Sequence, residues 1–443
     1  LSRLTAADDG ALVDGAGRRV ALRGVNLGGR AKRPPYLPFE LSGPDATPDE
    51  VSAQAEALCK RAASWGCDVA RVLVSWAALE PARGYVDRRY LARLGLLLDA
   101  AHGAGLGVIL DFHQDLYAAP LGGDGFPVWA LPPALRAAQT GEHRLWFAQY
   151  ALDARVHAAY DHFWRDADGL HAAFLQMWRT FLGALGEHPA VLGVDLFNEP
   201  GWGEAGPRAL VRDTLEPFYT WLIASLRADW PDLLYLYGSP SIEMMGLGKH
   251  DHRPAGEQVV YAPHLYDPAL VLCPAGGVSV PPARQLDALA RWRAEAGTPV
   301  VITELGVTHG AVGGAAWLGQ VCDGLDRHHL SAMIWEASLT SALWRGEDLN
   351  LLGPDGADRP AARAWARPRV AALAGEGLHV AWDGERFGSS WRADGRAATW
   401  VRLPAGEAWR VEEVSAGAHV EWVAGGLLVE AARGQAVRLM VSR

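Results

Sequence analysis

The stretches VLGVDLFNEP (191 to 200) and PVVITELG (299 to 306) decide how this chain is read. Each is a short apolar run ending in a polar turn, the pattern of a buried strand, and each carries a glutamate where the strand stops: Glu199 and Glu304. In a β/α barrel, residues at the carboxyl ends of the strands gather on one face. Two carboxylates brought to one cavity in this way are what cleavage of a glycosidic bond near neutral pH requires. Glu199 is the expected acid/base and Glu304 the expected nucleophile.

The same rhythm extends to both sides. Apolar runs predict strands at 20–27, 68–76, 106–112, 191–197, 233–238, 258–262, 299–303 and 331–335. Helical periodicity falls between them at 49–64, 87–104, 171–186 and 207–228, and again ahead of the last two strands. Strands alternating with helices in this number predict an α/β fold, a (β/α)8 TIM barrel, entered through a hairpin at 10–29. A long connection at about 113–170 holds Tyr117, Phe126, Trp129, Trp146, Phe147, Tyr150, Tyr160, Phe163 and Trp164. Two readings are open for it: a wall or lid over the active face, or a helical hairpin packed on the barrel.

A helix at 360–373 is expected to close the barrel. Short alternating runs with turns between them then predict an all-β sandwich. The expected division is a barrel over 1–373 and a sandwich over 374–443 docked against it, without a flexible linker. Trp382, Trp391, Trp400, Trp409 and Trp422 alternate in these runs as core residues do, although a face for carbohydrate or a lipid surface is the competing reading.

A net charge of −10 excludes a phosphate-backbone partner, which needs a basic footprint. No apolar run is long enough to span a bilayer. Cys59, Cys67, Cys273 and Cys322 lack metal or redox spacing and are expected as reduced thiols. There is no basic segment followed by an apolar one at the start of the chain. A secreted protein whose signal has been removed is favoured over a cytoplasmic one, and the residues set no oligomeric state. His250, His252, His328 and His329 have no ligand spacing, so no metal is expected. The Gly-rich VNLGGR (25 to 30) lacks the ending of a phosphate loop and reads as a turn, leaving no cofactor motif.

Other strand-end residues suit the same chemistry. Asn198 precedes Glu199 and can hold a sugar hydroxyl. Arg71 can bond to Glu304 and lower its pKa. His113, His264 and Tyr266 add donors, and Trp335 adds a flat apolar face for a sugar ring. Singly, each is as well explained by a core or surface role; jointly with Glu199 and Glu304, they occupy the ends of six strands of one barrel face.

Taken together, Arg71, His113, Asn198-Glu199, His264-x-Tyr266, Glu304 and Trp335 resemble glycoside hydrolase family 5 over roughly residues 15 to 370. DFHQDLYAAPLGGDGFPVWA (111 to 130) is similar to the endoglycoceramidase-type branch of that family. The resemblance implies a retaining β-glycosidase whose partner is a glycolipid or other glycoside with a lipid-like aglycone, with peripheral contact at lipid surfaces. It places Lys32 and Asp115 at the sugar next to the cleaved bond. Phe126 and Trp129, from the aromatic connection, are the aglycone-side candidates. A β-1,4-glucanase or mannanase of the same family is the first alternative, and a non-catalytic sugar- or lipid-binding protein the second.

Overall fold

Eight parallel strands close into a barrel: β1 (Arg23–Leu27), β2 (Val69–Val74), β3 (Gly107–Phe112), β4 (Val191–Asp195), β5 (Leu234–Tyr237), β6 (Val259–Tyr261), β7 (Val301–Ile302) and β8 (Ser331–Ile334). This computed structural model describes residues 3–141, 146–242 and 252–443. The strands pair in chain order, with β8 returning to β1, and a bridge between Tyr261 and Val300 joins β6 to β7. Every strand is apolar along most of its length because helices cover the outside and side chains fill the inside. β2, VARVLV, is buried at all six positions.

Alternate residues point inward. Val69, Ile109, Leu192, Val260 and Met333 form an apolar floor. Two residues further along their strands, Arg71 and Asp111 introduce a buried polar layer that carries the functional face. Above it, the chain after β6 and β7 pairs once more, His264–Tyr266 beside Glu304–Gly306, so that His264 lies in register with Glu304.

The helices begin where local chemistry dictates. Thr47 caps Pro48–Ser64 by accepting from the Glu50 amide at 3.2 Å, and Pro48 sits in the first turn, where a missing N–H costs nothing. Asp87 caps Arg88–Gly103 in the same way. The expected helix at 207–228 contains a π turn at Val211–Leu215, just ahead of Pro217, which cannot donate to the preceding turn.

Two expectations about the chain's ends are corrected. The helix expected over 360–373 stops at Trp365, because Pro368 cannot continue it, and Arg369–Leu373 is a strand. The amino-terminal hairpin, expected with the barrel, instead supplies three strands (Leu4–Ala6, Leu12–Asp14, Arg19–Val20) to a seven-stranded sheet. That sheet continues through Arg369–Leu373, Thr399–Arg402, Gly426–Glu430 and His419–Val423. It faces a four-stranded sheet of Gly375–Trp382, Arg386–Ala393, Ala436–Ser442 and Arg410–Val414. Phe387, Trp391, Val401, Leu427, Leu439 and Val441 fill the space between them. Trp382 and Trp409 pack at its edge, Trp400 packs under the barrel floor, and Trp422 is exposed. All four cysteines are free thiols.

Asp68, at the entrance to β2, ties the two parts together: its carboxylate pairs with buried Arg369 and, at 3.8 Å, with Arg402, and it accepts from the Arg23 amide. Replacing Asp68 with Ala leaves the Arg369 guanidinium buried without its counter-charge. The expected cost is about 3 kcal/mol of stability, read as a lower urea midpoint; an unchanged midpoint refutes this role.

Candidate active site

The upper face of the barrel is organised around one guanidinium. Arg71 projects from β2 into the interior and is fully buried. It donates to Asp195 at 2.9 Å, to Asn198 at 2.8 Å, to Asn26 at 3.0 Å and to Glu304 at 2.6 Å, and lies 2.8 Å from Asp111. A buried cation is tolerable only with this density of acceptors. Burial works against its charge, but Asp111, Asp195 and Glu304 outweigh burial and raise its pKa.

Glu304 opens the short strand after β7 and is nearly sealed from solvent. One oxygen accepts from Arg71, and the other accepts from the Tyr266 hydroxyl at 2.9 Å, with His264 Nδ1 3.5 Å away. Burial raises its pKa, yet His264 and Arg71 together hold it below the ordinary glutamate value. Glu199 is equally buried and bonds His264 Nδ1 at 2.7 Å. Here burial prevails over that bond, and the pKa is raised. Two glutamates of one cleft are thus driven in opposite directions, the division that an acid and a nucleophile need.

Carboxylate oxygens of Glu199 and Glu304 and a ring nitrogen of His264 all lie within 4.8 Å of one another. Such a trio has the spacing of a divalent cation site, but its donor atoms are already engaged with each other, with Arg71 and with Tyr266. The other histidines weighed as metal ligands do not gather: His252 bonds Gly238 O, His328 bonds Asp287, His329 bonds Val370 O, and His250 lies outside the described residues.

The cleft is lined by Lys32, His113, Asp115, Asn198, Glu199, Tyr266, Glu304 and Trp335, which brings together all the expected sugar-side residues except Arg71, which lies beneath, and His264, which stands beside Glu199. His113 bonds Asp111 at 2.8 Å and stacks on Trp335 with ring centres 5.2 Å apart. Burial opposes its protonation, but Asp111 overrides this and raises its pKa to about 10. Lys32 bonds Asp115 at 2.7 Å and sits over the rings of Trp344 and Trp335 at 4.0 and 4.7 Å. The GGDG segment makes this possible: a Cβ at Gly123 would lie 1.8 Å from the Asp115 carbonyl, and the Asp124 amide donates to that same carbonyl at 2.8 Å.

The aglycone-side expectation is corrected. Phe126 is buried in an aromatic core, stacked on Tyr117 at 4.0 Å with Phe112, Phe163 and Phe197 around it, and does not line the cleft. Trp129 packs on Trp76 and donates to Glu80 O at 2.9 Å, also outside the cleft. In sequence both look equivalent to the neighbouring aromatics; tertiary packing separates them. The apolar wall comes instead from Trp146 and Phe147 of the same connection and from Val271, Leu272 and Pro274 after the His264 strand.

Two further residues escaped the sequence reading. Glu347, in the connection after β8, faces Lys32 at 3.5 Å, and burial raises its pKa to about 7. Gln114 sits under Glu199, whose backbone has φ +40°, a left-handed conformation unfavourable for glutamate. The Gln114 amide donates to the carbonyls of Asn198 at 2.8 Å and Glu199 at 2.9 Å. Its own oxygen accepts from the Tyr160 hydroxyl at 2.5 Å and the Tyr117 amide at 3.1 Å. The signal was present: an uncharged polar residue between His113 and Asp115 in a buried strand end.

Comparison with known proteins points to one family. Residues 13–341 match the cellulase family, glycosyl hydrolase family 5. Endoglycoceramidase I of Rhodococcus hoagii is 37% identical over 198 residues, covering 44% of this chain and 36% of that protein. A glucosylceramidase of Cryptococcus neoformans var. grubii is 28% identical over 247 residues, 45% of this chain and 33% of that protein. The chain thus aligns to about a third of the length of these curated relatives. Endo-glycoceramidase II from Rhodococcus sp. superposes with a TM-score of 0.74 at 25% identity, covering 97% of this chain and 98% of that one. With the family match running across most of the barrel, the chain belongs to glycosyl hydrolase family 5, a family of retaining glycosidases.

Proposed function

We propose that this protein hydrolyses the β-glycosidic bond between a sugar and a lipid-like aglycone by double displacement. The observation that carries the reading is the approach of Glu199 and Glu304 within one cleft under opposite electrostatic influences. Oxygens within 4.8 Å suit the roughly 5 to 5.5 Å carboxyl spacing of retaining enzymes, which leaves no room for a water between the second carboxylate and the sugar. Glu304, kept ionised by Arg71 and His264, attacks the anomeric carbon, while Glu199 protonates the departing oxygen. Glu199 then takes a proton from water, and that water releases the sugar with retained configuration.

The lining of the cleft supports the substrate class. Lys32, Asp115 and Glu347 present charged and hydrogen-bonding groups suited to hydroxyls, and Trp335 offers a flat face to the ring's C–H surface. Phe147, Val271, Leu272 and Pro274, which also line the cleft, suit an apolar chain. The similarity to endoglycoceramidases and a glucosylceramidase points the same way.

The test is release of sugar from glucosyl-, galactosyl- and lactosylceramides compared with steryl glucosides and cellotetraose. Turnover of the lipids with first-formed β-anomer is expected; cleavage of cellotetraose alone, or a first-formed α-anomer, overturns the reading. Activity should fall on the acid side only below the ordinary glutamate pKa, as Glu304 protonates, and on the alkaline side above it, as Glu199 loses its proton. Glu199→Gln should lower turnover about 10²- to 10⁴-fold, abolish the alkaline limb on a substrate with an activated leaving group, and regain turnover with azide. An alkaline limb that persists in this variant assigns the proton elsewhere. Gln114→Ala, by releasing the backbone under Glu199, should lower kcat about 10²-fold while KM changes less than about threefold; a change in KM alone removes Gln114 from this role.

A further inference from the structure

At the end of the barrel away from the catalytic cleft, a cavity of about 700 Å³ lies between barrel and sandwich. Its size falls within the roughly 300 to 1,000 Å³ of small-molecule sites. Val300 and Ser331 line it at the amino ends of β7 and β8, whereas the cleft stands where those strands finish. Its other walls come from the amino-terminal hairpin and from the four-stranded sheet and its turns.

The lining is cationic. Arg19 enters from the hairpin, Arg293 and Arg327 from the barrel helices, and Arg392, Arg396 and Arg433 from the sandwich, against two carboxylates, Glu376 and Asp394. Asp9 offsets one of these charges by pairing with Arg19. Arg327, Arg396 and Arg433 have no carboxylate in salt-bridge contact among the described residues. In a chain of net charge −10, such a gathering does not reflect composition.

Local packing holds these side chains in place. A Cβ on Gly10 would lie 2.7 Å from Cγ of Arg293, so the hairpin passes directly over that side chain. Arg293 donates to the carbonyls of His328 and His329, each at 3.0 Å. Burial and neighbouring Arg19 lower its pKa, with Asp9 opposing them. On the sandwich side, the Gly434 amide donates to Ala393 O at 2.8 Å, and Arg392 donates to Gly434 O at 3.0 Å. A Cβ on Gly395 would lie 2.9 Å from that of Arg433, so the turns bearing Arg396 and Arg433 press together. Cations converging from three segments of chain create a positive potential that attracts anions. Guanidinium forks match the oxygens of phosphate.

We propose that this cavity binds a small soluble anion carrying at least two phosphate groups, held between arginines of the barrel and arginines of the sandwich. Positive charge on walls from both parts calls for more than one anionic group, and the acidity of the whole chain disfavours a nucleic acid. The inference is independent of the glycosidase reading.

Isothermal titration calorimetry of the full chain with inorganic pyrophosphate and with adenosine triphosphate tests it. Saturable binding of both is expected, with a higher thermal midpoint for the bound protein. Arg396→Ala combined with Arg433→Ala should raise Kd at least about tenfold, and Arg327→Ala at least about threefold. All three side chains are exposed, so the variants should fold, as an unchanged midpoint without ligand would show. Arg88→Ala combined with Arg208→Ala removes the same charge as the first pair from exposed positions outside the cavity and should leave Kd within about twofold. No binding of either compound up to about 1 mM, equal weakening by both double variants, or full affinity in Arg327→Ala overturns the site. So does sedimentation with vesicles of phosphatidylcholine and phosphatidylglycerol without binding of the free phosphates, which assigns the arginines to a membrane surface.

Discussion

A guanidinium sealed inside the barrel is the constraint on which the functional face depends. Arg71 sits where water cannot reach it and must be satisfied by residues of several strands at once: a hydrogen bond to Asn26 on β1 and the charges of Asp111 on β3, Asp195 on β4 and Glu304 beyond β7. Desolvating a charge is expensive, and removal of any partner leaves that cost exposed. The network therefore fixes the mutual position of strand ends that are far apart in the chain. Asp195, raised by burial to about 6 despite Arg71, shows how closely the charges in this layer are balanced.

Above this layer, the site works by contrast. Glu304 lies on the cationic side of the cleft, where donors keep it charged; Glu199, bonded to His264, is governed by desolvation. The lining of the cleft combines hydrogen-bonding with aliphatic and aromatic groups, Lys32 standing over the rings of Trp335 and Trp344. The aromatic connection serves both ends. Trp146 and Phe147 face the cleft, whereas Tyr150 and Tyr160 lie beneath it and bond Gln114, so both readings of this segment hold for different residues.

Much of the barrel was legible because strands buried on both faces must be written as continuous apolar runs. A charged residue inside such a run, as in VARVLV or VLGVD, is conspicuous and marks the interior polar layer. What stayed hidden depended on partners distant in sequence. Nothing in ARPRVAAL beyond its proline announces a strand rather than a helix end, since the pairing of Arg369–Leu373 with Arg19–Val20 and Thr399–Arg402 decides it. Phe126 and Trp146 differ in the partners they pack against and not in local pattern, so the sequence does not say which of them lines the cleft.

The seven-stranded sheet has a consequence for how the molecule comes together. Its first three strands are made before any of the barrel, and their nearest partner in the sheet, Arg369–Leu373, only after all of it. During synthesis the early hairpin must wait, with one edge unpaired, while the whole barrel is added. The β-rich part is consequently no detachable appendage: it is a clasp that holds segments from before and after the barrel together at the barrel's underside.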